Sequence, residues 1–245
     1  MNAVVSIMLI VSASIIPGIG NSVAIENMEK NYKDFMKFNF IFSWIVGCCT
    51  VLLACLYQPF MILWVGEKSM LSQRSAILFA VYFFVLMIGN IRAAYTEATG
   101  LWWENKERAI LEAITNLILN IVLGRLFGVN GVIFATILTT LVINFIMSSQ
   151  IIYKYYFKGK KMTEYFGYSL IWAVTTGVAI VICLWLTDLM KITGVLGILF
   201  YGIIGVVISC IVFWIIFHNT NQYIKSKKWI YMVLNINVKN KVQYK

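Results

Sequence analysis

The sequence predicts an all-α, polytopic membrane bundle of about seven transmembrane helices. Apolar residues make up 61% of the chain and charged residues only 12%, against about 45–50% and about 25% in a soluble domain. The apolar residues also come in long blocks of the ~20 residues that one membrane crossing needs, and a single soluble core explains no such pattern. The charges fall mostly between the blocks. The domain organisation that follows is one helical lobe over 1–217 and a basic tail over 218–245.

The seven blocks are 3–23, 38–64, 75–98, 109–127, 131–153, 166–186 and 193–217. The first carries Ser6, Ser12 and Ser14 and then Pro17-Gly18-Ile19-Gly20. A proline at such a place removes a backbone hydrogen bond and bends a helix. The second is crowded with aromatics from Phe38 to Trp64 and has Pro59 near its far end. Its Trp and Tyr residues near both ends fit interfacial belts, and its aromatics are expected to pack toward lipid.

The third block ends in polar residues. Arg92, Tyr95, Thr96 and Thr99 fall at i, i+3, i+4 and i+7 and share a helix face. Glu97, five residues from Arg92, is turned off that face. Paired tryptophans, Trp102 and Trp103, mark the next interface. The fourth block then places Glu112, Thr115, Asn116 and Asn120 on one stripe. A polar stripe on a spanning helix points into the bundle or a cavity. A helical hairpin brings the two stripes within reach, so Glu112 is expected to pair with Arg92. Charges at membrane depth are costly, which makes Arg92, Tyr95, Thr96, Glu112 and Asn116 the candidate cavity residues.

In the remaining blocks, Gly124, Gly128 and Gly131 predict a tight turn with close helix packing. Thr136, Thr139, Thr140, Asn144, Ser148 and Ser149 read as ordinary interhelical polar groups, as do Thr175 and Thr176. Four glycines in the seventh block (Gly194, Gly197, Gly202, Gly205) suit close approach of a neighbour. His218, the one histidine, sits just past that block and reads as a surface residue. The tail interleaves Tyr223, Ile224, Trp229, Ile230 and Tyr231 with lysines, a pattern that lies along an anionic leaflet.

The formal net charge of +10 is no sign of nucleic-acid binding, because the basic residues sit in loops and tail. The first loop holds Lys30, Lys33 and Lys37, the third Lys106 and Arg108, and the fifth Lys154, Lys158, Lys160 and Lys161. The tail adds Lys225, Lys227, Lys228, Lys239, Lys241 and Lys245. The second, fourth and sixth loops have only Lys68 and Arg74, Arg125, and Lys191. The positive-inside rule puts the odd loops and the tail in the cytoplasm. Seven spans then place the N-terminus outside, directly at the start of a span. The expectation is that further helices precede it, the chain being the C-terminal part of a longer transporter. No basic n-region or small-residue cleavage site suggests a cleavable signal.

Enzymatic chemistry has little to work with. There is no Walker lysine loop, no HExxH and no Ser-His-Asp set, and one histidine with few buried acids leaves little acid–base capacity. The five cysteines (Cys48, Cys49, Cys55, Cys183, Cys210) lie inside apolar blocks without metal spacing and read as packing residues. No cofactor and no metal are expected.

The runs IIPGIGNSVAIENMEKNY, FNFIFSWIVG and LYQPFMILWVGEK, with GLWWENKERAILEAITNLILNIVLGRLFGVNGV, resemble the C-terminal half of Wzx-type polysaccharide flippases. These belong to the multidrug/oligosaccharidyl-lipid/polysaccharide (MATE-like) exporter superfamily. The resemblance spans most of residues 15–156. It implies an all-helical transporter of twelve to fourteen spans in two lobes, which carries undecaprenyl-diphosphate-linked oligosaccharide across the bacterial inner membrane by alternating access. It implies as partners the lipid-linked oligosaccharide, membrane lipids, and a separate N-terminal lobe or other polysaccharide assembly proteins. Arg92 matches a cationic cavity position that would face the diphosphate, with Tyr95 and Thr96 beside it. The alternatives are a non-transporting remnant or assembly partner in the membrane, and a MATE-like exporter of small cations or drugs. An acidic cavity would suit the last, and Arg92 argues against it.

Overall fold

The computed structural model describes residues 1–66, 70–190, 192 and 194–234. Lys68, Lys191, Thr193, Lys239, Lys241 and Lys245 fall outside the described residues. Every regular element among those described is a helix. In chain order they are α1 (Asn2–Ile25), α2 (Met28–Val65), α3 (Gln73–Ile88), α4 (Asn90–Ala98), α5 (Trp102–Thr139), a π-helix (Thr140–Met147), α6 (Ser148–Tyr155), α7 (Met162–Met190), α8 (Gly194–Phe217) and α9 (Asn221–Val233).

Six helices are long and apolar enough to cross a membrane, so this is a multi-pass membrane protein. One of the six, Trp102–Tyr155, has 54 residues. A straight helix of that length would run about 80 Å, far beyond a hydrocarbon layer of roughly 30 Å. The chain instead reverses at Gly128, whose φ of 60° and ψ of −141° break the helix. Asn116 then donates to Thr139 Oγ1 at 2.8 Å, and Ser148 to Asn105 Oδ1 at 3.2 Å. The 54 residues are an antiparallel hairpin of two limbs, 102–127 and 129–155, which makes seven passes. A Cβ on Gly131 would stand 1.9 Å from the Leu123 carbonyl oxygen, so only glycine lets the limbs meet.

α2 is the hub of the bundle. It packs against α3, α7 and α8, while α1 leans on α4. Gly47 of α2 has no room for a Cβ, which would lie 2.7 Å from Phe213 of α8; Gly205 of α8 is pressed likewise against Leu52. α2 begins ten residues before its apolar block, because Asn27 caps it by accepting from the Lys30 amide at 2.9 Å. Asn31, fully buried, donates to the carbonyls of Ser22, Glu26 and Asn27 and closes the α1–α2 turn. Pro17 and Pro59 sit inside continuous helices.

One expectation for α2 is corrected. Phe40 and Phe42 do not face lipid; they are buried, because α7, α8 and α9 all cover this half of α2. Phe40 and Trp44 join Trp172, Phe213 and Phe217 in an aromatic layer, with Trp172 and Phe217 stacked at 4.2 Å. Phe60 and Trp64, at the other end, do face outward.

The connections sort to two ends. At one end Lys160 pairs with Glu29 at 2.6 Å, Tyr32 bonds Glu164 at 3.2 Å, and Ser226 of α9 reaches the Lys37 carbonyl at 3.5 Å. Tyr95 packs beside Phe157 there. At the other end Gln58 donates to the Leu71 carbonyl at 2.8 Å and Ser75 to Asn130 Oδ1 at 2.7 Å. The basic segments of the first, third and fifth connections and α9 thus share one end.

Candidate functional site

The site is built where three irregular pieces of helix meet. The α3 helix stops at Gly89 and α4 starts at Asn90, so Arg92 sits in the first turn of a new helix. Its guanidinium folds back over Gly89, where a Cβ would come within 2.9 Å of Nη2. Opposite lies the π-helix of the second limb. A π-turn shifts the backbone bond ladder to i→i+5 and often accompanies function.

Arg92 is buried, at 3% exposure. Its Nη1 donates to the Asn144 carbonyl at 2.9 Å and the Phe145 carbonyl at 3.5 Å, and its Nη2 donates to Asn144 Oδ1 at 3.0 Å. The Phe145 ring lies 5.8 Å from the guanidinium carbon. Nε finds no partner.

The expected Arg92–Glu112 pair is not made. Glu112 forms its ion pair with Arg108, one turn before it on the same limb. Asn144 stands between the two, accepting from Arg92 with its oxygen and donating with its nitrogen to Glu112 at 3.1 and 3.2 Å. The physical reason is reach. The hairpin puts the second limb between the first limb and α4, so an arginine on α4 meets the second limb first. Arg108 in turn donates to Asn105, which accepts from Ser148. The result is a continuous polar ladder across the hairpin with Arg92 attached at its Asn144 end.

The other candidates divide. Asn116 joins the same seam through Thr139 and receives a bond from Asn120 at 2.8 Å. The fourth-block stripe therefore faces the bundle, as its spacing predicts. Thr96 only returns its hydroxyl to the Arg92 carbonyl at 2.9 Å. Tyr95 is fully buried against Phe35 and Phe157, with a hydroxyl that lacks a partner. Both pack in the core beside Arg92 rather than lining an open space. Glu97 is exposed.

Asn144 is the residue that sequence reasoning passed over. The weak signal was an amide on an apolar run, four residues before a Ser-Ser pair, which looks like any interhelical polar group. Among the described residues no cluster of His, Cys, Asp and Glu could hold a metal ion. The five cysteines are all free, with Cys55 and Cys183 buried.

No protein-family model, curated protein or solved structure matches the chain.

Proposed function

We propose that the chain forms one lobe of a membrane transporter, of the flippase type, that moves undecaprenyl-diphosphate-linked oligosaccharide across the bacterial inner membrane for surface polysaccharide export. The observation that carries the reading is the charge of the ladder around Arg92. Arg108 pairs with Glu112, while the buried Arg92 reaches that carboxylate only through Asn144 and makes no ion pair among the described residues. A surplus positive charge within a bundle suits an anionic cargo and disfavours export of a cation. Its place at a broken helix and a π-turn fits the way transporters build sites from discontinuous helices. In this reading a second lobe completes the cavity. The basic end, with the C-terminal tail, lies in the cytoplasm by the positive-inside rule.

Arg92 is held by the Asn144 side chain and by the carbonyls of Asn144 and Phe145. An approaching diphosphate would compete for the same donors with a stronger, charge-assisted bond. Cargo and Asn144 then exchange as partners of Arg92, and the hairpin shifts against α4. The step needs no bond-making chemistry and no cofactor.

A second reading is favoured by the burial itself. Arg92 is 3% exposed and ties α4 to the second limb through Asn144, which suits a structural clamp in a non-transporting assembly partner. The test is Arg92→Ala alongside Arg92→Lys, scored for surface glycan and for the amount of protein in the membrane. The transport reading expects normal protein with export abolished in the alanine variant and partly kept in the lysine variant. Loss of the protein itself favours the clamp. Normal protein with normal export sinks the assignment of Arg92.

A further inference from the structure

α8 ends at Phe217, and the chain turns through Thr220, whose hydroxyl caps α9 by accepting from the Tyr223 amide at 3.3 Å. α9 then lies against the Lys37–Trp44 stretch of α2. Tyr223 packs on Trp44 and Phe40, and Trp229 packs on Phe38 at 5.4 Å. Ser226 and Gln222 are the buried face. The three helices do not close on one another. They leave a groove of about 710 Å³ with walls of Trp44, Ile45, Ile211, Trp214 and Tyr231. It lies at the end of the bundle that carries the basic connections.

The charge around this groove is one-sided. Lys227 lies in its lining, and Lys225 and Lys228 stand exposed on the same helix. α9 has no acidic residue over its length. No carboxylate lines the groove among the described residues. On α2, Asp34 is paired with Lys37 at 2.5 Å, and Lys37 is further turned over the rings of Phe38 and Trp229. The depth is also informative. The groove reaches Cys210 and Ile211, about two helical turns before the end of α8, or roughly 10 Å into the apolar layer.

We propose that this groove is a binding site for an anionic phospholipid of the bilayer, with an acyl chain between α2 and α8 and the phosphate at Lys227 of α9. A cation over an apolar slot at the membrane surface matches both halves of such a lipid. Trp214, Trp44 and Tyr231 are amphipathic rings suited to the depth of the glycerol region. The inference is independent of the transport reading, since it uses none of the Arg92 ladder.

The experiment is reconstitution of the full chain with equal phosphatidylglycerol and phosphatidylcholine, then native mass spectrometry of the lipid retained after mild detergent extraction. The wild type is expected to retain phosphatidylglycerol preferentially. K227Q should lose that preference by about fivefold, the equivalent of ~1 kcal/mol at an anionic surface, while K225Q/K228Q, outside the lining, should keep it. K227R should keep it. Cys210→Trp, which fills the slot, should retain less phosphatidylglycerol with the lysines intact. Where that variant folds poorly, the part of the tryptophan quenching by phosphatidylglycerol brominated on its acyl chains that is lost from the wild type to Trp214→Phe reads the same occupancy. Equal retention of the two lipids by the wild type overturns the site. So does a preference that survives K227Q, or one indifferent to filling the slot, since the latter leaves only surface attraction to the lysines.

Discussion

Asn144 concentrates the energetics of the ladder in one amide. It satisfies a buried guanidinium on one side and a carboxylate on the other. Replacing it with leucine leaves each ion short of one hydrogen bond, and a hydrogen bond to a charged group is worth about 1.5–3 kcal/mol. Asn116 makes neutral bonds on the same seam, to Thr139 and Asn120, of the kind worth about 0.6 kcal/mol between membrane helices. Asn144→Leu should therefore lower the thermal midpoint of the purified protein several times more than Asn116→Leu. Equal shifts would mean that Arg92 finds its acceptors in the two backbone carbonyls alone. The sequence made Arg92 and Glu112 conspicuous, since charges within apolar runs are rare. It hid Asn144, because an amide there carries no mark until the hairpin sets it between two ions.

The hairpin itself was legible as an element, and its reason was written in three glycines. Gly124, Gly128 and Gly131 make the turn and the contact that their spacing predicts. The three are not equivalent. A Cβ on Gly131 would meet a backbone carbonyl at 1.9 Å, which cannot move without opening the limb, whereas one on Gly124 would meet only a methyl of Val132 at 3.1 Å. Gly131→Ala is thus expected to abolish monodisperse protein on gel filtration, and Gly124→Ala to leave it. A folded Gly131→Ala protein would show that the limbs separate freely. Two other elements escaped the reading. The start of α2 was masked by Lys30, Lys33 and Lys37, which look like a loop, although they ride on a capped helix that extends past the apolar layer. The π-helix has no compositional signature, since one extra residue in a turn changes the bond register and not the hydropathy.

At the scale of the whole molecule, charge and geometry agree by separate routes. The positive-inside rule groups the odd connections with the tail by counting lysines and arginines. The structure groups them by contact, the first and fifth with α9 through Glu29–Lys160, Tyr32–Glu164 and Ser226–Lys37, and the approach to the third through Tyr95–Phe157. The exposed pair among these contributes at most about 1 kcal/mol, so its value is as a marker of position. The agreement depends on the reversal at Gly128. If residues 102–155 crossed the membrane once, Lys158 would emerge opposite Lys33. Labelling with a membrane-impermeant maleimide separates the two arrangements. The native cysteines all lie in spanning helices, away from the water the reagent needs, so introduced cysteines report alone. With seven passes, Lys33→Cys and Lys158→Cys should react from the same side, and Arg74→Cys and Arg125→Cys from the other. With the basic end cytoplasmic, intact cells should label only the second pair, and lysed cells all four. Labelling of Lys33→Cys and Lys158→Cys from opposite sides would undo the hairpin. With it would go the ladder, because Asn144 reaches Glu112 only when the second limb returns beside the first.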